Sequence, residues 1–232
     1  MDKIIYDGFE KNSLSDIWNQ RLIAHGSLQI QSDIVRAGKH AVKITIHQGD
    51  LLQQTLKKDK TSERDELLER EDLWSEEGEG HSYSFSIFIP KNFPIVPTRL
   101  VLAQWKQYDQ LGIALIDNPL IALRYVDGEL FITLQTTEKK TKLFQTKEDI
   151  REKWLDFDFN IKFTRAKKGS LIIFMNKHKI VSYEGITAYA EQYNYPKPGR
   201  FYFKMGLYRD TINQPMTAYF DEYQKKPLIN YN

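Results

Sequence analysis

The stretch Tyr202-Phe203-Lys204-Met205-Gly206-Leu207-Tyr208-Arg209 decides how this chain is read. It alternates with a period of two, the pattern of a half-buried β-strand. Phe201, Phe203, Met205 and Leu207 fall on one face, and Tyr202, Lys204, Gly206 and Tyr208 on the other. The first face is ordinary core. The second aligns two phenols and an ammonium around a glycine that leaves room above the sheet. An inert outer face would more often carry Thr, Ser, Glu and Lys. This one is suited to hold an anion and to move a proton.

The same alternation recurs outward along the chain. Residues 81–89 set Tyr83, Phe85, Ile87 and Ile89 against Ser82, Ser84 and Ser86. Residues 154–164 set Leu155, Phe157, Phe159, Ile161 and Phe163 against Asp156, Asp158, Asn160 and Lys162. Residues 41–46, 119–126, 129–135, 170–175 and 179–183 also read as strands. Val126-Asp127-Gly128-Glu129 and Met175-Asn176-Lys177-His178 read as hairpin turns. Short helices are expected only near 147–153 and 186–192. Many short strands with few helices point to two stacked antiparallel sheets.

Composition sets the bounds. The 232 residues contain no Gly/Ser-rich or Pro-rich linker, so one domain over 1–232 is expected. Hydrophobic residues at 41% and aromatics at 13% suffice for a sizeable core. A net charge of +2 gives no electrostatic case for nucleic acid. Lys57-Lys58-Asp59-Lys60 reads as a solvated loop. The absence of cysteine rules out disulfides and thiolate metal sites. No run is long and apolar enough to span a membrane. The opening Met1-Asp2-Lys3-Ile4 lacks an apolar signal region. Two expectations follow: a mature secreted or periplasmic form with its leader removed, or a chain not exported by that route.

Two further strands carry faces that match the second face of 201–208. In Glu63-Arg64-Asp65-Glu66-Leu67, Arg64 and Glu66 share a side; in Val101-Leu102-Ala103-Gln104-Trp105-Lys106, Gln104 and Lys106 do, with Trp105 directed to the core. These three segments resemble, in order and in wide spacing, the R-x-E-L, Q-x-H and Y-F-K-x-G-x-Y motifs of jelly-roll polysaccharide lyases, a group that includes alginate lyases, glucuronan lyases and heparin lyase I. The stretch 63–223 is most similar to the heparin lyase I and glucuronan lyase branch, through Trp105, the Trp154-Leu155-Asp156-Phe157 strand and the closing Phe220-Asp221-Glu222-Tyr223. The resemblance implies an all-β fold, a concanavalin A-like β-jelly-roll sandwich of two antiparallel sheets with a concave substrate cleft. It implies an endo-acting lyase that cleaves a uronic-acid-containing anionic polysaccharide by β-elimination. The other partner expectations are no nucleic acid, no membrane and a monomer.

That chemistry explains the residue types. The C5 proton beside a uronate carboxylate is weakly acidic, and its removal adds negative charge to the carboxyl group. A site must neutralise the carboxylate and stabilise an enolate-like intermediate. Arg64, Gln104 and Lys106 supply a fork, an amide and a point charge. Tyr208 is the candidate for both proton transfers. A free phenol of pKa about 10 is a poor base at neutral pH, so this reading requires Tyr208 to stand close to Arg64, Lys106 and Lys204. Lys204 and Tyr202 are expected beside the substrate, and Glu66 as a substrate-site residue or as the acceptor that orients Arg64.

One departure matters. Lys106 stands where relatives carry the histidine of Q-x-H. Either Tyr208 moves both protons and Lys106 only neutralises, or another histidine supplies the imidazole. His81 is the best spare; His25, His40, His47 and His178 stand in less suggestive contexts. The substitution also fits a binding protein that has lost catalysis. Arg124 and Arg209 are further candidates for anionic contacts. Tyr108, Tyr189, Tyr193 and Tyr195 are candidates for sugar stacking, with the loop 193–199 as a cleft wall. No cofactor is required by the chemistry; relatives with the fold imply a structural calcium, for which Asp221 and Glu10 are candidate ligands. A non-catalytic carbohydrate-binding sandwich is the competing function. A retaining glycoside hydrolase is the third, and it needs two carboxylates facing each other, roughly 5–5.5 Å apart.

Overall fold

The computed structural model describes residues 4–21, 26–50 and 62–228. The 57–60 lysine cluster, residues 1–3 of the opening and His25 lie outside the described residues. Two antiparallel sheets form a sandwich. The back sheet runs β3 (Leu28–Gln31), β4 (Ala41–Ile46), β16 (Met216–Pro227), β7 (Gly80–Phe88), β12 (Trp154–Lys162), β13 (Gly169–Met175) and β14 (His178–Gly185), with β1 (Ile5–Asp7) paired to β16. The front sheet runs β2 (Trp18–Arg21), β5 (Ser62–Glu69), β15 (Arg200–Asp210), β8 (Leu100–Gln107), β9 (Ile121–Val126), β10 (Glu129–Gln135) and β11 (Lys140–Thr146), with β6 (Ser75–Glu76) paired to β15.

The alternations read from sequence fill the space between the sheets. Phe201, Phe203, Met205 and Leu207 are buried, as are Tyr83, Phe85, Ile87, Phe157, Phe159 and Ile161. Trp105 packs at 4.4 Å from Phe159 and 4.9 Å from Phe203, ring centre to ring centre, and so ties front to back. Each such side chain removed from water is worth roughly 1.5–3 kcal/mol. The two hairpin turns form with both central residues at positive φ: Asp127 at 51° and Gly128 at 77°, Asn176 at 50° and Lys177 at 67°. That is the turn whose twist matches the strands it joins. The expected helices do not form. Residues 147–153 contain none, and 186–192 contribute only to a 3₁₀ turn, Glu191–Tyr193. Their apolar residues, Ile150 in one and Ala188 and Tyr189 in the other, plug the core from irregular backbone. Segments this short gain little from helix formation alone.

The core-facing side of β5 is unusually polar. Glu63 accepts from Arg209 Nε at 2.7 Å, and both side chains are fully buried. Arg209 is therefore not a contact for substrate anions, as the sequence suggested. It holds the 212–214 turn through carbonyl oxygens of Ile212 and Gln214. Glu69 accepts from the Tyr223 hydroxyl and lies 3.6 Å from Lys225 Nζ, so β5 of the front sheet is pinned to β16 of the back sheet.

Gly206 is needed for a different reason than open space above the sheet. At φ 145° a Cβ would overlap the carbonyl oxygen of Asp65 and stand 2.8 Å from Glu66 Cα, so the missing side chain lets β15 approach β5. The same region carries register shifts between Met205 and Tyr208 against β8, and between Val101 and Ala103 against β9. The second places Val101, not Leu102, on the cleft side together with Gln104 and Lys106. Gly206→Ala is expected to cost about 1–3 kcal/mol from backbone strain alone, more with the clash. Urea unfolding of the variant checks this; an unchanged midpoint would mean that the approach is not required.

Candidate active site

The outer face of the front sheet carries a cleft of about 310 Å³. Arg64, Gln104, Lys106, Arg124, Lys204 and Tyr208 all line it. They come from β5, β8, β9 and β15, four neighbouring strands. Register explains the convergence. Arg124 stands opposite Val101, Val101 opposite Tyr208 and Tyr208 opposite Arg64, in one row across the sheet. Lys204 stands opposite Gln104 in a second row, and Tyr202 opposite Lys106 in a third.

Glu66 lies beneath this lining, 1% exposed. It accepts from Gln104 Nε2 and lies 3.5 Å from Arg64 Nη1 and 3.8 Å from Lys204 Nζ. It is the acceptor that orients the donors and not a group that meets a ligand. One carboxylate shared by two cations leaves positive charge facing the cleft. Among the described residues Arg64 Nε has no hydrogen-bond partner.

Lys106 Nζ donates to Asp117 at 2.5 Å from the cleft wall. Burial works against its charge, but Tyr202 and Asp117 outweigh it and hold its pKa above the ordinary lysine value. At neutral pH it is an ammonium. The Tyr208 ring is bracketed by two guanidiniums, Arg64 at 3.8 Å and Arg99 at 4.3 Å. Arg99 also pairs with Asp210 at 2.6 Å. Burial lowers the pKa of Arg99, but the hydrogen bonds with Asp210 and Tyr208 more than offset it. Arg124 is 6% exposed, and burial first, then Arg99, pull its pKa down to about 10.

Sequence reasoning missed Arg99, Asp117 and Lys140, all of which line the cleft. Arg99 precedes β8 and Asp117 sits in a loop, so neither belongs to an alternating pattern; Lys140 begins an edge strand in a run of basic residues. Other expectations move. His81 lies on β7 of the back sheet, where its Nδ1 bonds the Ser75 hydroxyl at 3.0 Å, so it is no spare imidazole for the cleft. Tyr195 is buried, stacked on Tyr189 at 5.1 Å, and donates to the Ile116 carbonyl at 2.8 Å. It holds the loop that carries Asp117 and offers no face to a sugar. Tyr193 is likewise buried, while Pro196, Lys197 and Pro198 wall a neighbouring groove with Tyr108 and Arg200. Tyr202 shares the cleft face but stacks on Trp74 at 5.0 Å. Trp74 meets Tyr108 at the same distance.

The two carboxylates that the resemblance offers as calcium ligands both bind backbone amides. Glu10 accepts from the backbone amides of Lys39 and His40, and Asp221 from those of Arg36, Ala37 and Glu222. Both carboxylates are spent on one loop, and among the described residues no three His, Asp or Glu side chains converge to hold a metal. Among the described residues the cleft lining holds one carboxylate, Asp117, and no facing pair of the kind a retaining hydrolase needs.

The polysaccharide lyase family model matches residues 6–224. This chain belongs to that family. Comparison with curated protein sequences finds no match. Among solved structures it is similar to an endo-β-1,4-glucuronan lyase from the fungus Trichoderma reesei, with 15% identity, 92% of each chain covered and a TM-score of 0.71. It is similar to an alginate lyase of polysaccharide lyase family 7 at 14% identity, 91% of this chain, 94% of that one and a TM-score of 0.62. Another family 7 alginate lyase, solved with product, matches at 13% identity, 91% and 95% coverage and a TM-score of 0.65. The fold is thus the jelly roll of these lyases. Among the described residues no helix is long and apolar enough to cross a membrane.

Removing the shared acid tests the layout. Glu66→Gln keeps the shape but leaves Arg64 and Lys204 side by side over a neutral group. A loss of about 3 kcal/mol in urea unfolding is expected for breaking such a buried pair. A loss under about 0.5 kcal/mol, the scale of an ordinary surface change, would mean that Glu66 does not organise these donors.

Proposed function

We propose that this lyase cleaves a polymer containing uronic acid by β-elimination, with Tyr208 as both base and acid. The observation that supports it is the convergence of Arg64, Gln104, Lys106, Lys204 and Tyr208 from three strands on one cleft. The uronate carboxylate meets Arg64, Gln104, Lys106 and Lys204. Their charge and hydrogen bonds favour the enolate-like intermediate over the ground state, which is where rate is gained. The reaction starts from the Tyr208 phenolate, whose ring has Arg64 and Arg99 within 4.3 Å. The phenolate takes the C5 proton. The electron pair left on carbon forms the C4–C5 double bond and expels the glycosidic O4 oxygen. That oxygen takes the proton from the Tyr208 phenol, which restores the phenolate. No second base is needed, in keeping with Lys106 held as a cation by Asp117.

The test is a panel of glucuronan, alginate and glycosaminoglycans, read by ultraviolet absorbance of the unsaturated product. Tyr208→Phe removes only the hydroxyl and should lower turnover by at least ~10²–10⁴ with the fold intact. Turnover within a few-fold of wild type would move the proton transfers to another group. A chain that binds these polymers yet yields no absorbance would be a binding protein.

Lys106 separates charge from base chemistry. Lys106→Met should weaken both substrate binding and turnover. Lys106→Arg and Lys106→His should each keep partial activity, because charge or a donor at that place is what the enolate needs. An inactive Arg variant beside a fully active His variant would show that a neutral base is required, contrary to the assignment of both steps to Tyr208.

A further inference from the structure

The outer face of the back sheet carries an aromatic row on the side of the molecule away from the cleft. Trp154 stands opposite Phe88 and Phe88 opposite Tyr219, on β12, β7 and β16. All three rings are half-buried. Phe88 meets Trp154 at 5.6 Å and Tyr219 at 5.9 Å, ring centre to ring centre. The alternation that sends Leu155 and Phe157 into the core leaves Trp154 outside with Asp156 and Asp158. A single exposed ring is ordinary, and cross-strand ring pairs help hold a sheet together. Three rings in one row, with polar groups along both edges, also make a platform.

A groove flanks the row on each side. One, of about 360 Å³, is lined by Arg36, Ser84, Ser86, Asp156, Glu222 and Gln224 together with their neighbours. Ser86 and Asp156 stand two residues along their strands from Phe88 and Trp154, about 7 Å away. The other, of about 350 Å³, includes Asn92, Gln214 and Thr217 and no charged group among its described lining. Thr217 stands two residues from Tyr219 on β16. Some of these polar groups are spent. Ser86 donates to Asp156 at 2.7 Å and Ser82 to Asp158 at 2.8 Å. Arg36 clamps Asp156 through Nε at 2.9 Å and Nη2 at 2.8 Å, so that carboxylate is fixed in place. Others are open. Among the described residues the Ser84 hydroxyl, the Gln224 amide, the Trp154 indole N–H and the Tyr219 hydroxyl make no hydrogen bond within the protein.

Charge says what does not bind here. The first groove sets Arg36 against Asp156 and Glu222. At its borders Lys43 and Lys177 are balanced by Asp33 and Asp158. The face is thus slightly acidic, while the cleft on the other sheet is lined by six cations and one carboxylate. A polyuronate is drawn to the cleft and gains nothing from this face. Uncharged sugars suit it: their C–H faces cover aromatic rings, and their hydroxyls both donate and accept. The rings are inclined to Phe88 by 50° and 78°, so the row is not flat. It fits a single solvated chain better than the surface of a crystalline polymer.

We propose that the row Trp154, Phe88 and Tyr219, with Ser84 and Gln224 beside it, is a non-catalytic binding site for a neutral polysaccharide chain. The site stands on the back sheet and does not depend on the lyase reading of the cleft. Together the two faces would let one molecule hold an uncharged polymer while its cleft takes an anionic one.

The test is retardation of the full chain in native gels that contain soluble mixed-linkage β-glucan, xylan or galactomannan. At least one of the three should retard the wild-type chain, and added salt should leave that affinity within about twofold, because no ion pair is involved. Trp154→Ala should weaken it about tenfold or more, as the loss of a central aromatic anchor does. Trp154 packs on Phe88, and its replacement can disturb the strand; Ser84→Ala and Gln224→Ala touch only open polar groups and should each still cost about threefold to fivefold. No retardation by any of the three polymers, or retardation that survives all three substitutions, overturns the site. Displacement of the neutral polymer by an equal concentration of polyglucuronate overturns its preference for uncharged chains. Self-association of the wild-type chain that disappears in Trp154→Ala, read by sedimentation, would give the row to a second copy of this chain and overturn the proposal. Release of unsaturated product from a soluble polyuronate should stay within about twofold in all three variants, and a loss of turnover in step with the loss of retardation would overturn the independence of the two faces. A chain retarded through Trp154 that yields no unsaturated product from any polyuronate would sink the lyase reading and leave this site standing.

Discussion

The cleft depends on one buried carboxylate. Glu66 reaches donors on β5, β8 and β15 at once, and each of those donors would otherwise be a long, loose side chain on a sheet face. Ordering such chains costs rotamer entropy, up to about 2 kcal/mol each, which substrate binding would have to supply. Glu66 supplies it during folding. It leaves the donors aimed outward with charge to spare, which is the preorganisation that electrostatic catalysis requires. The close approach of β15 to β5 at Gly206 brings Glu66 within reach, since Gly206 stands opposite Glu66 in the ladder.

Much of this was legible in the chain because strands expose their two faces to sequence reading with a period of two. Tyr208, Lys204, Gln104, Arg64 and Arg124 all stand at positions of matching parity, and the sheet brings them together. What escaped reading has physical reasons. Parity says which face a residue takes but not which sheet, and His81, the spare imidazole by residue type, stands on β7 of the back sheet with the parity of Tyr83 and Phe85. Arg209 shares the parity of Phe201, Phe203, Met205 and Leu207 and lies with them in the core, its charge answered there by Glu63. Tyr195 lies in a loop, where alternation says nothing of depth, and is buried with its hydroxyl on the Ile116 carbonyl. Bulges break the count, and Val101 came to the cleft through one. Loop residues such as Asp117 have no periodic neighbours to betray them.

The replacement of the relatives' histidine by Lys106 looks less drastic in its setting. Asp117 binds the ammonium from the wall, so the ion pair presents a fixed, partly compensated charge. The position then contributes a donor of constant protonation across the neutral range, where an imidazole would titrate. A site of this kind has one pH-sensitive group fewer.

The polar pins between the sheets have a mechanical consequence. An apolar interface resists separation but is nearly indifferent to sliding, because hydrophobic contact has no direction. Glu69 bonded to Tyr223 and Lys225 has direction, and it joins β5, the strand that carries Arg64 and Glu66, to β16 in the opposite layer. Shear between the layers would have to break a buried, hydrogen-bonded ion pair. The placement of Arg64 and Glu66 on the front sheet is thus keyed to the back sheet through the strand that carries them.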